Sequence, residues 1–356
     1  MSAKCFRAHQ VGGVVMDDRK RKILEAITDD YIFTAEPVGS RTIARRHNLG
    51  VSAATIRNEM SDLEEHGFLH QPHTSAGRIP SDKGYRFYVD VLMEPDLIEL
   101  AERIRIKREI NAKRREIEDA ISYATRLLAV LTQYTSIALA PSLSMSRFRH
   151  VRIVPLEEKN VMVISVIDPG FVQNKILESS EPISEQSANH MSDYLSHLLR
   201  TLTINDLTKG VINELRNVIQ DAMLFQDFME LLVAGLDSRP QERIYLDGAT
   251  NLLEQPEFKD VEKARTLLRV LEGRHVIFDL LDPANVTGGL RVIIGSEHKY
   301  EELQSCSIVM ATYHIKGEVF GSMGVLGPTR MNYRRTLSLV QFMAESLSET
   351  LTNITR

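Results

Sequence analysis

The chain has 356 residues, 43% hydrophobic and 26% charged, with a formal net charge of −5. That length supports two or three domains with sizeable cores, and the composition is that of an ordinary globular protein. No run of about 18 apolar residues argues for a membrane span, and only Cys5 and Cys306 are present, which excludes a disulfide framework and fits a reducing cytoplasm.

Residues 1–16 lack a secretory apolar stretch and read as a disordered extension ahead of the first helical pattern. A helix is predicted over Asp17–Tyr31, with Ile23, Leu24, Ile27 and Tyr31 on one face and acids at its start. Thr34–Gly39 is a connector containing Pro37. Ser40 is expected to N-cap a second helix and Ser52 a third, with a tight turn at Asn48-Leu49-Gly50 between them. Phe68–Gln71 reads as a short strand, Ser75–Arg78 as a loop and Arg78–Pro80 as the return strand. Ser81 then caps a helix through Tyr85, Phe87 and Tyr88.

From Asp96 to Gln133, Leu97, Leu100, Ile104, Ile110, Ile117, Ile121, Ala124, Leu128 and Leu131 recur at helical steps. They predict one amphipathic helix about 55 Å long. The phase slips between Ile104 and Ile110, so packing on its own domain and a dimer-forming seam both stay open. Val151–Leu156 and Val161–Asp168 read as a hairpin, and Pro182–Leu236 as helical. Ile244–Gly273 holds a short strand and a helix around Val261–Leu271. Strands are expected at His275–Leu281, Leu290–Ile294, Ser307–Tyr313 and Glu318–Val325, the last two joined at Lys316-Gly317, before a closing helix at Leu337–Leu351. Helices and strands interleave without strict alternation, which favours an α+β multidomain fold.

Charge is uneven along this order. Residues 1–150 hold 23 Lys/Arg against 20 Asp/Glu, a net of +3, and residues 151–356 hold 20 against 28, a net of −8. Phosphate contacts concentrated in the first half would produce that asymmetry, though the excess supports only a modest footprint per copy.

The third helix carries the most chemistry. On a helical wheel Ala53, Ile56, Met60 and Leu63 form an apolar stripe for the domain core. Ala54, Thr55, Asn58 and Ser61 lie opposite, with Arg57 on the flank. These small or bidentate-capable groups suit a major groove: Asn58 matches an adenine edge, Arg57 a guanine or phosphate, and Thr55 or Ala54 a thymine methyl. Asp62, Glu64 and Glu65 follow, so phosphate repulsion limits deep contact to the first two turns, from Ser52 to Ser61. His73, Thr74, Ser75, Gly77 and Arg78 form a candidate wing, in which Gly77 frees the loop backbone and Arg78 reaches phosphate or a narrow minor groove. Arg41, Arg45, Arg46 and Lys83 are candidate phosphate contacts. The whole is the pattern of a winged helix-turn-helix.

The stretches Ala53-Ala54-Thr55-Ile56-Arg57-Asn58-Glu59-Met60, Gln71-Pro72-His73-Thr74-Ser75-Ala76-Gly77-Arg78-Ile79-Pro80 and Asp82-Lys83-Gly84-Tyr85-Arg86 resemble the HrcA-type heat-inducible transcription repressors of bacteria. So do Pro256-Glu257-Phe258, Ile308-Val309-Met310-Ala311-Thr312-Tyr313 and Gly324-Val325-Leu326-Gly327-Pro328-Thr329-Arg330-Met331-Asn332-Tyr333. The resemblance runs from Asp17 to the C-terminus. It implies an N-terminal winged helix, a GAF-like central α/β domain and a small α/β dimerisation domain inserted within it. It further implies a homodimer on an inverted-repeat double-stranded DNA operator (the CIRCE element) upstream of chaperone operons, with activity supported by the GroEL chaperonin. The expected partition is 17–92 for DNA binding, 93–135 for the long helix, 136–238 and 276–356 for the GAF-like domain, and 239–275 for the insertion.

Other constellations are weaker. His66, His70 and His73 have zinc-like spacing, but a strand position for His70 keeps the three apart. Cys306 with His298 or His314 is not a recognisable nucleophile pair, and a small buried core residue is the simpler reading. Thr287-Gly288-Gly289 is too short a signal for a nucleotide site. No acidic metal cluster and no base–nucleophile pair argues for an enzyme, and no cofactor or metal is expected. A winged-helix repressor sensing a small molecule through its GAF-like domain is the alternative.

Overall fold

The computed structural model describes residues 16–74, 76–112, 117–140, 147–157, 159–167, 171–200, 202, 206–237, 244–283, 286 and 289–355. Helices α1 (Asp18–Thr34), α2 (Ser40–Arg46) and α3 (Ala53–Glu65) come first. Strands β1 (Leu69–His70) and β2 (Ile79–Pro80) and helix α4 (Asp82–Phe87) follow. The last helix runs directly into a π turn at Tyr88–Leu92. Ile23, Leu24 and Ile27 of α1, Ile43 of α2, and Ile56, Met60 and Leu63 of α3 close one small core with Phe68. Met16 is buried in that core, so the expected N-terminal extension stops short of it; residues 1–15 lie outside the described residues. Asp17, Ser52 and Ser81 cap α1, α3 and α4 through their side chains. Ser40 does not cap α2: Gly39 holds the cap position and Ser40 is the first helical residue.

The long helix expected over 96–133 is two helices, α5 (Leu100–Ala112) and α6 (Ile117–Thr132). The Tyr123 hydroxyl donates to the Glu109 carboxylate at 3.1 Å across 14 residues. A straight helix would separate them by about 21 Å, so the chain has doubled back. Reversal brings Ile106 and Ile110 of α5, and Ile117, Ile121 and Leu128 of α6, into one core with the closing helix α13 (Tyr333–Ile354). The phase slip in the sequence marks the change of helix. Leu97, Leu100 and Ile104 stay exposed.

The main sheet is antiparallel in the order β7-β3-β10-β9-β8. Its strands are β3 (Thr135–Leu139), β7 (Ile244–Asp247), β8 (Leu290–Ile294), β9 (Cys306–Ile315) and β10 (Glu318–Pro328). Lys316 (φ 52°) and Gly317 (φ 90°) make the tight turn between β9 and β10, as their sequence suggests. Alternate residues serve opposite faces. Val309, Ala311, Tyr313, Met323 and Val325 face α6 and α13. Ile308, Met310 and Leu326 lie with α10 (Ala249–Leu253), α11 (Val261–Glu272) and α12 (Arg274–Leu281). The expected strand at His275–Leu281 is thus helix α12. Its buried residues Val276, Ile277, Leu280 and Leu281 fall at helical spacing, which the unbroken apolar run does not distinguish from a buried strand.

A second sheet, β4-β5-β6, is formed by β4 (Phe148–Pro155), β5 (Asn160–Ile167) and β6 (Phe171–Glu178). Helices α7 (Glu185–Leu199), α8 (Lys209–Val218) and α9 (Ala222–Asp237) cover one face with a separate core. Helix α7 also closes the outer edge of β4: the Val151 and Ile153 amides donate to Ser196 Oγ (3.0 Å) and Ser192 Oγ (2.9 Å). This unit enters the chain between β3 and β7, which pair from Ser136↔Asp247 to Leu139↔Ile244. The insertion expected at 239–275 is instead the segment between β3 and β7, whose described elements run from 148 to 237. Among the described residues no helix is long and apolar enough to cross a membrane.

His298 is 3% exposed. Burial pushes its pKa down from 6.5 to about 4 against the opposing pull of Glu297 and of the Cys306 backbone. An unfolded histidine takes its proton near pH 6.5 and the folded one only near pH 4. The resulting destabilisation is absent above that window and accumulates as pH falls through it, to about 3 kcal/mol at most. Thermal melts from pH 7 to pH 4 should show a falling midpoint whose slope flattens in His298→Phe. An unchanged slope would assign the acid limb to other groups.

Candidate nucleic-acid interface

Helix α3 is oriented by its buried face. Ile56, Met60 and Leu63 are sequestered, with Ala53 only half-buried, and this leaves Ala54, Arg57, Asn58 and Ser61 exposed on the far side. Ser52 accepts the Thr55 amide at 3.1 Å, and its hydroxyl lies 3.0 Å from Thr55 Oγ1. Thr55 is half-buried and shares its hydroxyl with the cap. Gly50, at φ 67°, takes the left-handed conformation that lets α2 turn tightly into α3.

The acids of α3 have partners the sequence reading did not assign. Glu59, buried, pairs with Lys20 at 2.8 Å and Arg19 at 3.4 Å, and Asp62 pairs with Lys20 at 3.1 Å. Hydrogen bonds to Glu59 and then Asp62 raise the Lys20 pKa, so its charge is secure. Glu64 pairs with Arg78 at 2.8 Å. Most of the carboxylate charge is therefore answered by α1 and by the β1–β2 connection. The spacing of Glu59 from the apolar stripe was the available signal: a carboxylate flanking Met60 needs a cation from a neighbouring helix.

The cationic candidates divide by what they touch. Arg41 and Arg45 on α2 and Arg57 on α3 are exposed and carry no ion pair among the described residues. Arg46 lies 3.5 Å from Asp30. Lys83 donates to the His66 carbonyl at 2.8 Å and sits 4.5 Å from the Phe68 ring centroid, which places its charge at the C-terminus of α3. Arg78 is engaged by Glu64, while its backbone makes a two-way bridge to Val38 with both bonds at 2.9 Å.

His73 and Thr74 are exposed between β1 and β2, where the Gln71 side-chain amide donates to the carbonyls of Thr74 and Ala76 and shapes the connection. Ser75 lies outside the described residues. Gly77 serves a different purpose from the one its sequence suggests. It does not adopt positive φ; a Cβ there would lie 2.4 Å from the Val38 carbonyl. Close approach of two backbones excludes a side chain. His66, His70 and His73 do not gather: among the described residues no group of three His, Cys, Asp or Glu could hold a metal. Cys306 is fully buried, which pushes its thiol pKa up to about 12 and keeps it inert.

The family described as HrcA protein C terminal domain matches residues 118–337. The heat-inducible transcription repressor HrcA of Pelotomaculum thermopropionicum is 44% identical over 96% of this chain and 98% of its own length. That of Desulfitobacterium hafniense is 43% identical over 95% and 98%. A solved structure described as a hypothetical protein at 2.2 Å resolution aligns over 95% of this chain and 99% of its own, with TM-score 0.66 and 25% identity. By name these relatives are transcription repressors, not enzymes.

Two glycine substitutions separate the two reasons for glycine. Gly77→Ala should cost about 1–3 kcal/mol, because backbone must move to admit the methyl. Gly50→Ala, with open space around it, should cost only about 1 kcal/mol of backbone strain. Thermal or denaturant melts give both values; equal costs would dismiss the close approach at Gly77.

Proposed function

The chain belongs to the HrcA family of heat-inducible transcription repressors, and on that premise we propose that it represses heat-shock chaperone operons by binding an inverted-repeat, CIRCE-type operator as a homodimer. Residues 17–92 act as a winged helix-turn-helix: α3 enters the major groove and the β1–β2 connection is the wing. The observation that carries this reading is the exposed quartet Ala54, Arg57, Asn58 and Ser61 on a helix whose other faces are buried or ion-paired. Ser52 and Thr55 hold the helix start at the groove. Arg41 and Arg45 take phosphates, with Arg46 and Lys83 nearby. His73, Thr74, Gly77 and Arg78 lie along the flanking backbone. The five-stranded sheet and its helices form the GAF-like domain. The protein works in the cytoplasm, and the GroEL chaperonin supports its activity.

The inserted unit supplies the dimer contact. Among the described residues, one face of its sheet is covered by helices and the other is open. Across the open face, register places Val154, Met162 and Ile176 abreast, then Arg152, Ile164 and Asn174, then His150, Val166 and Val172. Val172 and Ile176 are 61% and 59% exposed. A largely apolar sheet face of this kind is suited to a second copy of itself across a two-fold axis.

Gel shifts across salt, with an inverted repeat and a scrambled duplex, test operator recognition. The repeat should bind far more tightly, and Arg57→Ala or Asn58→Ala should each cost about 1–3 kcal/mol. Added GroEL should raise the bound fraction. Equal affinity for the scrambled duplex would sink the reading. Sedimentation tests the pairing face: Val172→Asp with Ile176→Asp should yield a folded monomer, and a persistent dimer would move the contact elsewhere.

A further inference from the structure

The N-terminal unit is bolted to the rest of the chain by arginines. Arg334, in the first turn of α13, donates to the Glu25 carboxylate at 2.8 Å and lies 3.6 Å from Asp29, both on α1. It also donates to the Tyr88 hydroxyl at 2.9 Å and to the Glu94 carbonyl at 3.3 Å, and its guanidinium sits 5.4 Å from the Tyr88 ring centroid. Tyr88 in turn donates to Asp29. Four residues earlier, Arg330 donates to the Ile32 carbonyl in the last turn of α1 at 3.2 Å, while Gln255 and Glu257 hold its other nitrogens. From the opposite side Arg86 grips Glu297 and the Val292 carbonyl (2.8 Å), and Asp82 accepts the Ser296 amide at 2.8 Å.

Helix α1 passes this constraint on. Its Arg19 and Lys20 hold Glu59 and Asp62 of α3, and Ile23 and Ile27 pack in the same core as Ile56 and Met60. A continuous line of rigid elements therefore runs from α13 through α1 to α3. Apolar contact supplies adhesion but is indifferent to small rotations. The planar fork of Arg334, satisfied by partners on α1, on the π turn and at Glu94, admits one orientation.

We propose that Arg334, backed by Arg330, is a positioning residue for operator binding, setting the angle of α3 to the C-terminal core and thereby whether two copies of α3 reach both half-sites together. This rests on the dimeric operator reading above. Arg334 touches no base or phosphate in this scheme. Its contribution enters through effective concentration, because the second half-site is gained only if the geometry permits simultaneous contact.

The test uses the full-length protein and two duplexes, the complete inverted repeat and a single half-site in unrelated flanking DNA. Arg334→Gln should lose at least tenfold in affinity for the repeat and less than twofold for the half-site. Glu25→Gln, on the other side of the contact and only half-buried, should show the same split if Arg334→Gln folds poorly. Arg334→Lys should be intermediate, since an ammonium keeps the charge but not the fork. Parallel losses on both duplexes would mean an ordinary folding role and overturn the inference. Undiminished repeat binding in both Gln variants would do the same while leaving the operator reading intact. A wild-type protein binding both duplexes equally would remove the operator reading and this inference with it.

Discussion

The constraint on which the architecture depends is that the central sheet is apolar on both faces. From Cys306 to Ile315 every residue but His314 is buried, with successive side chains passing to opposite sides. Such a sheet cannot face water on either side, so two layers of helix are obligatory. Helices α6 and α13 form one layer and α11 and α12 the other. Once α13 is laid along the sheet, its N-terminal end emerges beside α1, and Tyr85, Tyr88, Val89 and Met93 complete the same core. The junction between the N-terminal unit and the body is thus a consequence of covering the sheet.

The same requirement explains the inserted unit. Strands β3 and β7 complete the edge of the main sheet, and the segment between them finds no apolar surface left there. It builds its own core from three strands and three helices, and α7 seals one edge with Ser192 and Ser196. Among the described residues it has no second layer. Its open face has Val154, Met162 and Ile176 abreast, a row that a solitary protein would have little reason to expose.

Legibility in the sequence follows from how far each element's own residues determine it. Helix α3 was readable because a capping serine, a 3.6-residue apolar stripe and a polar opposite face all agree within thirteen residues. The β9–β10 hairpin was readable from Lys316-Gly317. Helix α12 was not, because Val276-Ile277-Phe278 and Leu280-Leu281 satisfy a buried strand and a buried helix equally. Strand β3, buried throughout, gave no alternation to detect, and β6 concealed its period by placing Val172 and Ile176 on the open face. The α5–α6 reversal and the interruption at 148–237 are pairing facts, invisible until Tyr123 meets Glu109 and Ser136 meets Asp247. Within the candidate interface, exposure of Arg57 and Asn58 follows from the wheel. The commitments of Arg78 to Glu64 and of Lys83 to His66 depend on partners brought in from other elements.

Electrostatics sets what one copy can do. With a net of +3 over its first 150 residues, the chain has little charge to spend on phosphates. Several cations are already engaged: Arg19 and Lys20 by Glu59, Arg78 by Glu64, and Arg46 near Asp30. That leaves Arg41, Arg45 and Arg57 as exposed charges on α2 and α3, on the proposed reading a footprint of about three phosphates, and the salt-dependent term scales with that number. On the proposed reading, affinity adequate for repression comes from joining two weak footprints, and joining multiplies affinity only where the two are held at fixed separation and angle. Helix α3 cannot fix its own angle, since its contacts lie within the N-terminal unit. The angle is inherited through α1 from the arginines at the start of α13, and through α13 from the sheet. On the proposed reading, the charges that matter most for operator affinity include several that stay well away from DNA.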